Sequence, residues 1–271
     1  MTEVEIFPAA GRFVTHGQSS GLDERGGGAA AGSAAGIETR HSFAFGAHND
    51  PKNTGFGLLV ANNDENLGPG AGFDMHPHRD AEIVTWVVEG TIRHIDSLGN
   101  DTLLGPGTVQ WQGAGSGIVH SERNASNTQP ARFIQVWLTP DEYGLAPGYA
   151  SAQAKLAPNV LTLLAGSSAG EDVQDVQEVQ WDGAGPAVRI RQKDAALYAV
   201  RLEAGGSVSL GSAPYTHIFV VSGVVRIGLG GLEAGDAARV TGGGVPLDCL
   251  DDAELLIWQM QRTTRDQMTG E

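Results

Sequence analysis

The 271-residue chain has a single cysteine, Cys249, so an intramolecular disulfide bond is impossible. One cysteine suits a protein of a reducing compartment. No hydrophobic run approaches the length of a transmembrane helix. The first residues also lack the basic start and the apolar stretch of a secretory signal peptide. From these absences we expect a soluble, cytoplasmic protein that does not bind membranes.

Basic residues are scarce, because 17 Lys and Arg stand against 32 Asp and Glu, which gives a formal net charge of −15. A surface of this charge repels the phosphate backbone of nucleic acids and anionic lipid headgroups. No run of Lys and Arg offsets the charge locally. The composition therefore argues against direct nucleic-acid binding and leaves small molecules or another protein as the expected ligands.

Glycine is abundant, with 39 residues, and 12 prolines are present. The absence of a Gly-x-y period excludes collagen. Short β-prone runs alternate with glycine-rich turns, a pattern typical of an all-β sandwich or barrel. In the first half, these runs are 58–61, 83–88, 91–95, 108–111 and 133–138.

The β-prone runs resume in the second half, after a less regular stretch. They are 187–191, 198–202, 217–221, 224–227 and 255–259. Residues 87–93 (Val-Val-Glu-Gly-Thr-Ile-Arg) match residues 220–226 (Val-Val-Ser-Gly-Val-Val-Arg) in residue type. This similarity predicts an internal duplication, with two β-barrels in one chain. Within the first copy, residues 87–92 predict a hairpin.

We place the first barrel in residues 1–145 and the second in residues 146–271. The first half also contains a Gly/Ala-rich segment of low complexity at residues 26–36. Such a segment buries too little apolar surface to offset the entropy lost on ordering. We therefore expect a mobile loop at about residues 17–37.

Two pairs of potential metal ligands lie in the first half. His76 and His78 are two residues apart, and His120 and Glu122 repeat that spacing further along the chain. Side chains at i and i+2 of a strand point to the same face. Imidazole and carboxylate ligands suit divalent first-row metals. Four protein ligands leave a position open, as a catalytic metal requires. Each pair alone is weakly specific, but together they predict a metal site.

The residues around these pairs resemble the cupin motifs, in which the glutamate ligand usually belongs to the first motif. Glu82 stands one residue closer to His78 than the commoner cupin spacing. A shift of one residue normally turns a side chain to the other face of a strand, whereas a β-bulge could restore it. This pattern leaves the choice between Glu82 and Glu122 open.

A longer series of motifs covers about residues 38–140. It consists of His41-Ser42-Phe43, Asp50-Pro51, Phe56-Gly57, Gly72-Phe73, His76-Pro77-His78-Arg79-Asp80, Glu82-Ile83, Glu89-Gly90, Asp96-Ser97-Leu98-Gly99-Asn100, Ala114-Gly115-Ser116-Gly117-Ile118 and His120-Ser121-Glu122-Arg123-Asn124. This series resembles the pirin family. The resemblance implies two cupin barrels, of which the first binds iron and the second has lost its metal ligands. The resemblance also implies that the metal ligands are His76, His78, His120 and Glu122. Glu82 then has only a supporting role.

Several other residues are interpreted as structural. The second half has one histidine, His217, which cannot form a comparable site alone and is expected to be packed or at the surface. His94 is more typical of a structural strand residue than of a ligand. We assign the large aromatic residues to the barrel core rather than to a substrate platform, because aromatic side chains dominate core burial. They are Trp86, Trp111 and Trp137.

The resemblance implies two alternative functions. Some pirins are similar in activity to quercetin 2,3-dioxygenases, which open the flavonol ring with O2, and Glu122 would then accept the proton of the flavonol 3-hydroxyl group. The alternative is an iron-dependent, redox-sensing regulatory protein that binds a protein partner. The resemblance favours Fe(II) as the cofactor, although nickel, manganese, cobalt, copper or zinc could occupy the same ligands.

Overall fold

The computed structural model describes residues 2–17, 36–46, 48–167, 176–180, 183 and 185–269. The segment predicted as a mobile loop, about residues 17–37, lies outside the described residues except at its two ends. Within the described part of the chain, no helix is long and apolar enough to cross a membrane.

The chain is built almost entirely from strands. Those of the first half are β1 (Glu3–Phe7), β2 (Phe13–His16), β3 (Ile37–His41), β4 (Leu59–Leu67), β5 (Gly72–His78), β6 (Glu82–Glu89), β7 (Ile92–Asp96), β8 (Asp101–Leu104), β9 (Thr108–Gly113), β10 (Ile118–Asn124) and β11 (Ala131–Leu138). Those of the second half are β12 (Gly148–Gln153), β13 (Thr162–Gly166), β14 (Val176–Gln180), β15 (Val188–Arg189), β16 (Ala195–Leu202), β17 (Ser207–Ser209), β18 (Tyr215–Ile227), β19 (Gly230–Glu233), β20 (Ala237–Thr241) and β21 (Pro246–Met260). A 3-10 turn (Ala9–Gly11) and one short helix, α1 (Thr264–Thr269), complete the described elements.

The strands form three sheets. Two of them face each other in the first barrel, with the orders β5-β10-β7-β8 and β14-β12-β9-β6-β11-β4-β3-β2. The third has the order β1-β20-β18-β21-β16-β13-β15, with β17 beside β21 and β19 beside β18, and forms the second barrel. The predicted all-β fold with two cupin barrels is confirmed.

Strand β6 of the first barrel is buried on both faces over most of its length. Val84 and Trp86 of β6 belong to a hydrophobic core that continues into β18 and β21, so this face packs against the second barrel. Val87 belongs instead to a core inside the first barrel, where it packs with residues of the four-stranded sheet such as Phe73 and Ile92. Because successive side chains alternate between faces, the interior of the first barrel receives the odd-numbered residues of β6.

Hydrogen bonding between strands crosses the predicted division at residue 145 in two places. Strand β1 pairs with β20 of the second barrel, from Glu3 opposite Thr241 to Phe7 opposite Ala237. Strand β12 pairs with β9 of the first barrel. The domain boundary at residues 145 and 146 stays a prediction, and two of the three sheets contain strands from both sides of it.

The segment predicted as a hairpin, residues 87–92, is instead a corner between two sheets. Strand β6 lies in the eight-stranded sheet and β7 in the four-stranded sheet, so the hairpin prediction is wrong. Gly90 makes the corner with a φ of +73°, and a Cβ atom there would lie 2.5 Å from the carbonyl oxygen of Pro130. Its counterpart Gly223, also at positive φ, lies within the continuous strand β18, where the pairing with β21 shifts register. The matching sequences therefore form a corner in one barrel and a bulge in the other.

Candidate metal centre

Two adjacent strands of the four-stranded sheet, β5 and β10, carry the predicted ligands. His120 lies directly opposite His76 in the antiparallel pairing of these strands. Alternation turns His76 inward, where it is 6% exposed, and turns its neighbour Met75 outward, where it is 54% exposed. Strand β5 therefore alternates its side chains between two faces, as the two-residue spacing of His76 and His78 predicted.

Three imidazoles meet inside the first barrel. The ring centroids of His76 and His120 are 4.4 Å apart, those of His76 and His78 are 4.7 Å apart, and those of His78 and His120 are 4.8 Å apart. One ring nitrogen from each residue lies within 4.8 Å of the other two. Such spacing allows the three nitrogens to point at one small ion.

Glu122 lies beside this cluster and shares His120 with it. A carboxylate oxygen of Glu122 lies within 4.8 Å of ring nitrogens of both His120 and His94. Two amides hold the carboxylate, since Gln135 Nε2 donates to Oε2 at 2.8 Å and Gln110 Nε2 donates to Oε1 at 3.4 Å. The structure thus brings all four predicted residues into the barrel interior, with Glu122 at the side of His120.

The donor atoms of the cluster fit a metal ion. Both ring nitrogens of His120 are buried and have no hydrogen-bond partner among the described residues, and an orphaned buried polar group costs about 1–3 kcal/mol. His76 Nδ1 lies 2.6 Å from the carbonyl oxygen of Asp74, so it donates there and leaves Nε2 free for an ion.

Burial, reinforced by the neighbouring histidines, lowers the pKa of His120 far below its ordinary value. Burial and, to a smaller extent, His76 lower the pKa of His78 to about 3. The rings of His78 and His120 are therefore neutral near pH 7 and offer lone pairs to a cation.

Glu82, the alternative carboxylate, lies on the opposite face of its strand. Its Oε2 accepts hydrogen bonds from Trp111 Nε1 and from the backbone N–H of Arg191, each at 2.8 Å. These partners lie where the two halves of the chain meet, outside the histidine cluster. The one-residue difference in spacing has therefore turned Glu82 away from the ligands, and no bulge restores it.

Burial raises the pKa of Glu82 to about 7, above its ordinary value of 4.5. The folded state therefore binds more protons than the unfolded state between these values. Proton binding by Glu82 therefore contributes to the free energy of unfolding. This contribution is fully present below about pH 4.5 and is lost as the pH rises through about 7. Glu82→Gln keeps an acceptor for Trp111 but cannot ionise. We expect the wild type to lose, relative to this variant, on the order of 3 kcal/mol of unfolding free energy between pH 4.5 and pH 8.5.

The measurement is the urea-unfolding free energy of both proteins at the two pH values. Glu65 is another buried carboxyl, and burial raises its pKa to about 8. It titrates in both proteins, so its effect on the unfolding free energy cancels in the comparison. Parallel pH dependence of the wild type and Glu82→Gln would contradict the assignment of a buried, proton-binding carboxyl at this position.

The tryptophans fall into two groups. Trp86 and Trp111 lie in the core between the halves, as predicted. Trp137 is also buried, but its ring lies edge-on against His78 at a centroid distance of 4.7 Å and against Phe45 at 5.1 Å. Trp137 belongs to a small hydrophobic core cluster, as predicted. Together with Phe45 it also forms an aromatic wall on the side of the histidine cluster next to His78.

Other supporting residues were also missed from the sequence. The amides of Gln110 and Gln135 carried no motif. His94, for which the sequence favoured a structural role over a place facing the pocket, is fully buried beside His120 and Glu122. The only available signal was strand alternation, which turns His94, Gln110 and Gln135 to the same interior as the ligands. That signal alone does not separate a supporting residue from a core residue.

His217 of the second half is completely buried on β18, and neither of its ring nitrogens has a hydrogen-bond partner in the part of the chain that the structure describes. Burial, followed by the positive charges of Arg239 and Arg12, lowers its pKa to about 3. Its ring centroid lies 5.8 Å from that of Phe43. Among the described residues, both groups of three potential metal ligands lie in the first half, and His217 belongs to neither.

Comparisons with known proteins agree with this arrangement. The family profile described as Pirin matches residues 27–138, and the profile described as Quercetinase C-terminal cupin domain matches residues 180–260. A Mycobacterium tuberculosis protein named "Putative quercetin 2,3-dioxygenase" is 40% identical over 237 residues, which cover 86% of this chain and 92% of that protein. The chain belongs to the pirin family. A "Pirin-like protein" from Caulobacter vibrioides is 33% identical over 82% of this pirin and 91% of its own length.

Solved structures show the same fold. The crystal structure of YhhW from Escherichia coli superposes with a TM-score of 0.80 at 26% identity, covering 96% of this pirin and 99% of YhhW. A second crystal structure, of bacterial pirin YhhW in complex with nickel(II), gives the same TM-score and covers all of that chain. These similarities and the donor set of this pirin together indicate a metal site.

Proposed function

We propose that this pirin is a metal-dependent dioxygenase that opens flavonols with O2 at a mononuclear Fe(II) site. The proposed ligands are His76, His78, His120 and Glu122. The single observation that carries the proposal is the convergence of three imidazoles on one point in the barrel, with a carboxylate beside them. The names of the relatives, which include quercetin 2,3-dioxygenases, supply the substrate class.

A first-row metal ion bound to these ligands would supply Lewis acidity and redox chemistry toward O2. The chain itself supplies the base. In this proposal Glu122 accepts the proton of the flavonol 3-hydroxyl group. Its Oε1 is the better acceptor, because the contact from Gln110 to that oxygen is 3.4 Å while Gln135 already occupies Oε2 at 2.8 Å. A positioned base of this kind contributes about 10²–10⁴-fold to a rate.

Gln135 connects this base to the aromatic wall. Its Nε2 donates to Glu122, and its Oε1 accepts a hydrogen bond from Trp137 Nε1 at 3.0 Å. The orientation of the amide is therefore fixed at both ends. Trp137 and Phe45 offer apolar ring surface beside His78, which suits a flat aromatic substrate.

We expect Trp137→Ala to raise the KM for quercetin by about tenfold, because the loss of one ring contact costs about 1.4 kcal/mol, or one factor of ten. A smaller fall in kcat should accompany it, since the bond that orients Gln135 is also lost. Trp137→Phe is the matched control, which keeps a ring but not the N–H group. It should retain a KM close to that of the wild type. Steady-state kinetics of the metal-loaded proteins test this prediction, and an unchanged KM in Trp137→Ala would remove the aromatic wall from the substrate site.

The proposal is tested by oxygen uptake. The full-length protein is loaded anaerobically with Fe(II), or in parallel with Ni(II), and mixed with quercetin in an oxygen-electrode cell. We expect flavonol-dependent uptake by the wild type and by Glu82→Gln, and none by His76→Ala. Absence of uptake by a fully loaded wild type, with any flavonol, would contradict the proposal and favour the redox-sensing alternative. A cytoplasmic location stays a prediction from the sequence.

A further inference from the structure

His94 lies beside two of the proposed ligands without belonging to the ligand set. It is directly opposite Glu122 in the pairing of β7 with β10, and its side chain is fully buried. Its ring centroid is 5.3 Å from that of His120. His94 is therefore a buried histidine next to the cluster, and neither metal binding nor proton transfer, as proposed above, uses it.

Asp96 fixes the protonation pattern of this ring. Its Oδ2 lies 3.1 Å from His94 Nε2, and its carboxylate also accepts from the backbone N–H groups of Leu98 and Asn100 and from the Asn100 side-chain amide. A carboxylate that accepts from these donors requires a hydrogen on His94 Nε2. In the neutral imidazole, the lone pair then lies on Nδ1.

That lone pair has no partner among the described residues. His94 Nδ1 is buried, and so are both nitrogens of His120. The carboxylate of Glu122 cannot donate to Nδ1, because both groups are acceptors. A neutral His120 that uses one nitrogen for a metal carries a hydrogen on the other, and such N–H groups almost always need an acceptor. A ring nitrogen of His94 lies within 4.8 Å of one of His120, and His94 Nδ1 is a buried acceptor without a partner among the described residues.

We infer that His94 is a positioning residue of the metal centre, which accepts a hydrogen bond from His120 Nδ1–H and thereby directs His120 Nε2 at the metal ion. Asp96, His94 and His120 then form one continuous chain of hydrogen bonds that ends at the metal. The ring of Tyr149 stacks on His94 at a centroid distance of 4.7 Å and an interplanar angle of 25°, which restricts rotation of His94. Neither ring nitrogen of His120 has a hydrogen-bond partner among the described residues, so the contact requires a reorientation of the His120 ring.

This inference rests on the proposed metal site but not on the dioxygenase reaction, so zinc is the probe. His94→Phe keeps a flat ring to stack on Tyr149 and removes the Nδ1 lone pair. We expect zinc affinity, measured by competition with a chelator, to fall 10–100-fold, the usual effect of losing an outer hydrogen-bond partner. His41→Phe is the matched control, because His41 is a buried histidine of the same half with its own partners, Thr15 and Asn63. It should bind zinc within twofold of the wild type.

A second readout separates positioning from packing. In the Co(II)-loaded protein, the His120 N–H resonance should exchange slowly with solvent in the wild type and rapidly in His94→Phe. Unchanged zinc affinity and slow exchange in His94→Phe, with only a lower melting temperature of the metal-free protein, would overturn the inference. If His94→Phe does not fold, Asp96→Asn tests the same chain and should weaken zinc binding by about tenfold. Affinity within twofold of the wild type would overturn it.

The two proposals fail in distinguishable ways. A wild type that binds zinc but shows no oxygen uptake contradicts only the dioxygenase reaction and leaves the zinc comparison intact. A wild type that binds no metal at all contradicts the site and the role of His94 together.

Discussion

His120→Ala is expected to lose its metal and, with it, all flavonol-dependent oxygen uptake. His120 is the residue shared by both groups of potential ligands in the barrel, and both of its ring nitrogens are orphaned without an ion. Removal of a ligand should weaken metal binding more than the 10–100-fold typical of an outer partner. At a metal concentration a hundred times the wild-type Kd, bound metal stabilises the fold by about 2.7 kcal/mol. The variant should gain well under about 1 kcal/mol at that concentration.

The matched control is His217→Ala. His217 is also a fully buried histidine with two unpartnered nitrogens, but it lies in the second barrel. Both variants leave a cavity of similar size, so only the metal-dependent part of the stability should differ between them. Thermal unfolding with and without zinc measures that part. Equal stabilisation of the two variants by metal would place the ion elsewhere in the chain.

Glu122→Gln is expected to bind metal more weakly but to keep the fold and, at a saturating metal concentration, a bound ion, while kcat falls by about 10²–10⁴-fold. Three imidazoles remain to hold the ion, but an amide cannot accept the substrate proton. The KM for quercetin should change less than kcat, because the aromatic wall is untouched. Metal content is measured first, so that the rates refer to equally loaded proteins.

Glu82→Gln is the matched control for this substitution. It removes the charge of another buried glutamate of the first half, one that bonds to Trp111 and Arg191 rather than to the cluster. We expect its kcat to equal that of the wild type. A loaded Glu122→Gln that works at the wild-type rate would show that Glu122 is not the base.

Local spacing was enough to predict which side chains share a face. The two-residue spacing in His76 and His78, and again in His120 and Glu122, requires only a strand. The same rule separates Glu82 from the ligands. The spacing between His78 and Glu82 is one residue shorter than is common in cupins, and this difference turns the Glu82 side chain outward. The all-β class and the two barrels also followed from strand-sized runs and from the repeated segments.

Contacts between distant parts of the chain could not be predicted in this way. Gln110 and Gln135 reach Glu122 from β9 and β11, and nothing in the sequence around either residue marks the meeting point. Strand β1 crosses to the second barrel, where it pairs with residues that are distant in sequence. The false hairpin at residues 87–92 has the same origin, because a turn residue such as Gly90 is needed both to reverse a strand within a sheet and to pass between sheets.

The proposed function requires a metal ion in the first barrel of this pirin that promotes the insertion of O2 into a flavonol. Its most direct test is isotope incorporation by the Fe(II)-loaded protein, with quercetin converted under ¹⁸O2 and the organic product weighed by mass spectrometry. We expect both oxygen atoms of one O2 molecule to appear in the product, and we expect His120→Ala to yield no such product. Consumption of O2 without label in the product, or labelling from H2¹⁸O instead, would contradict it.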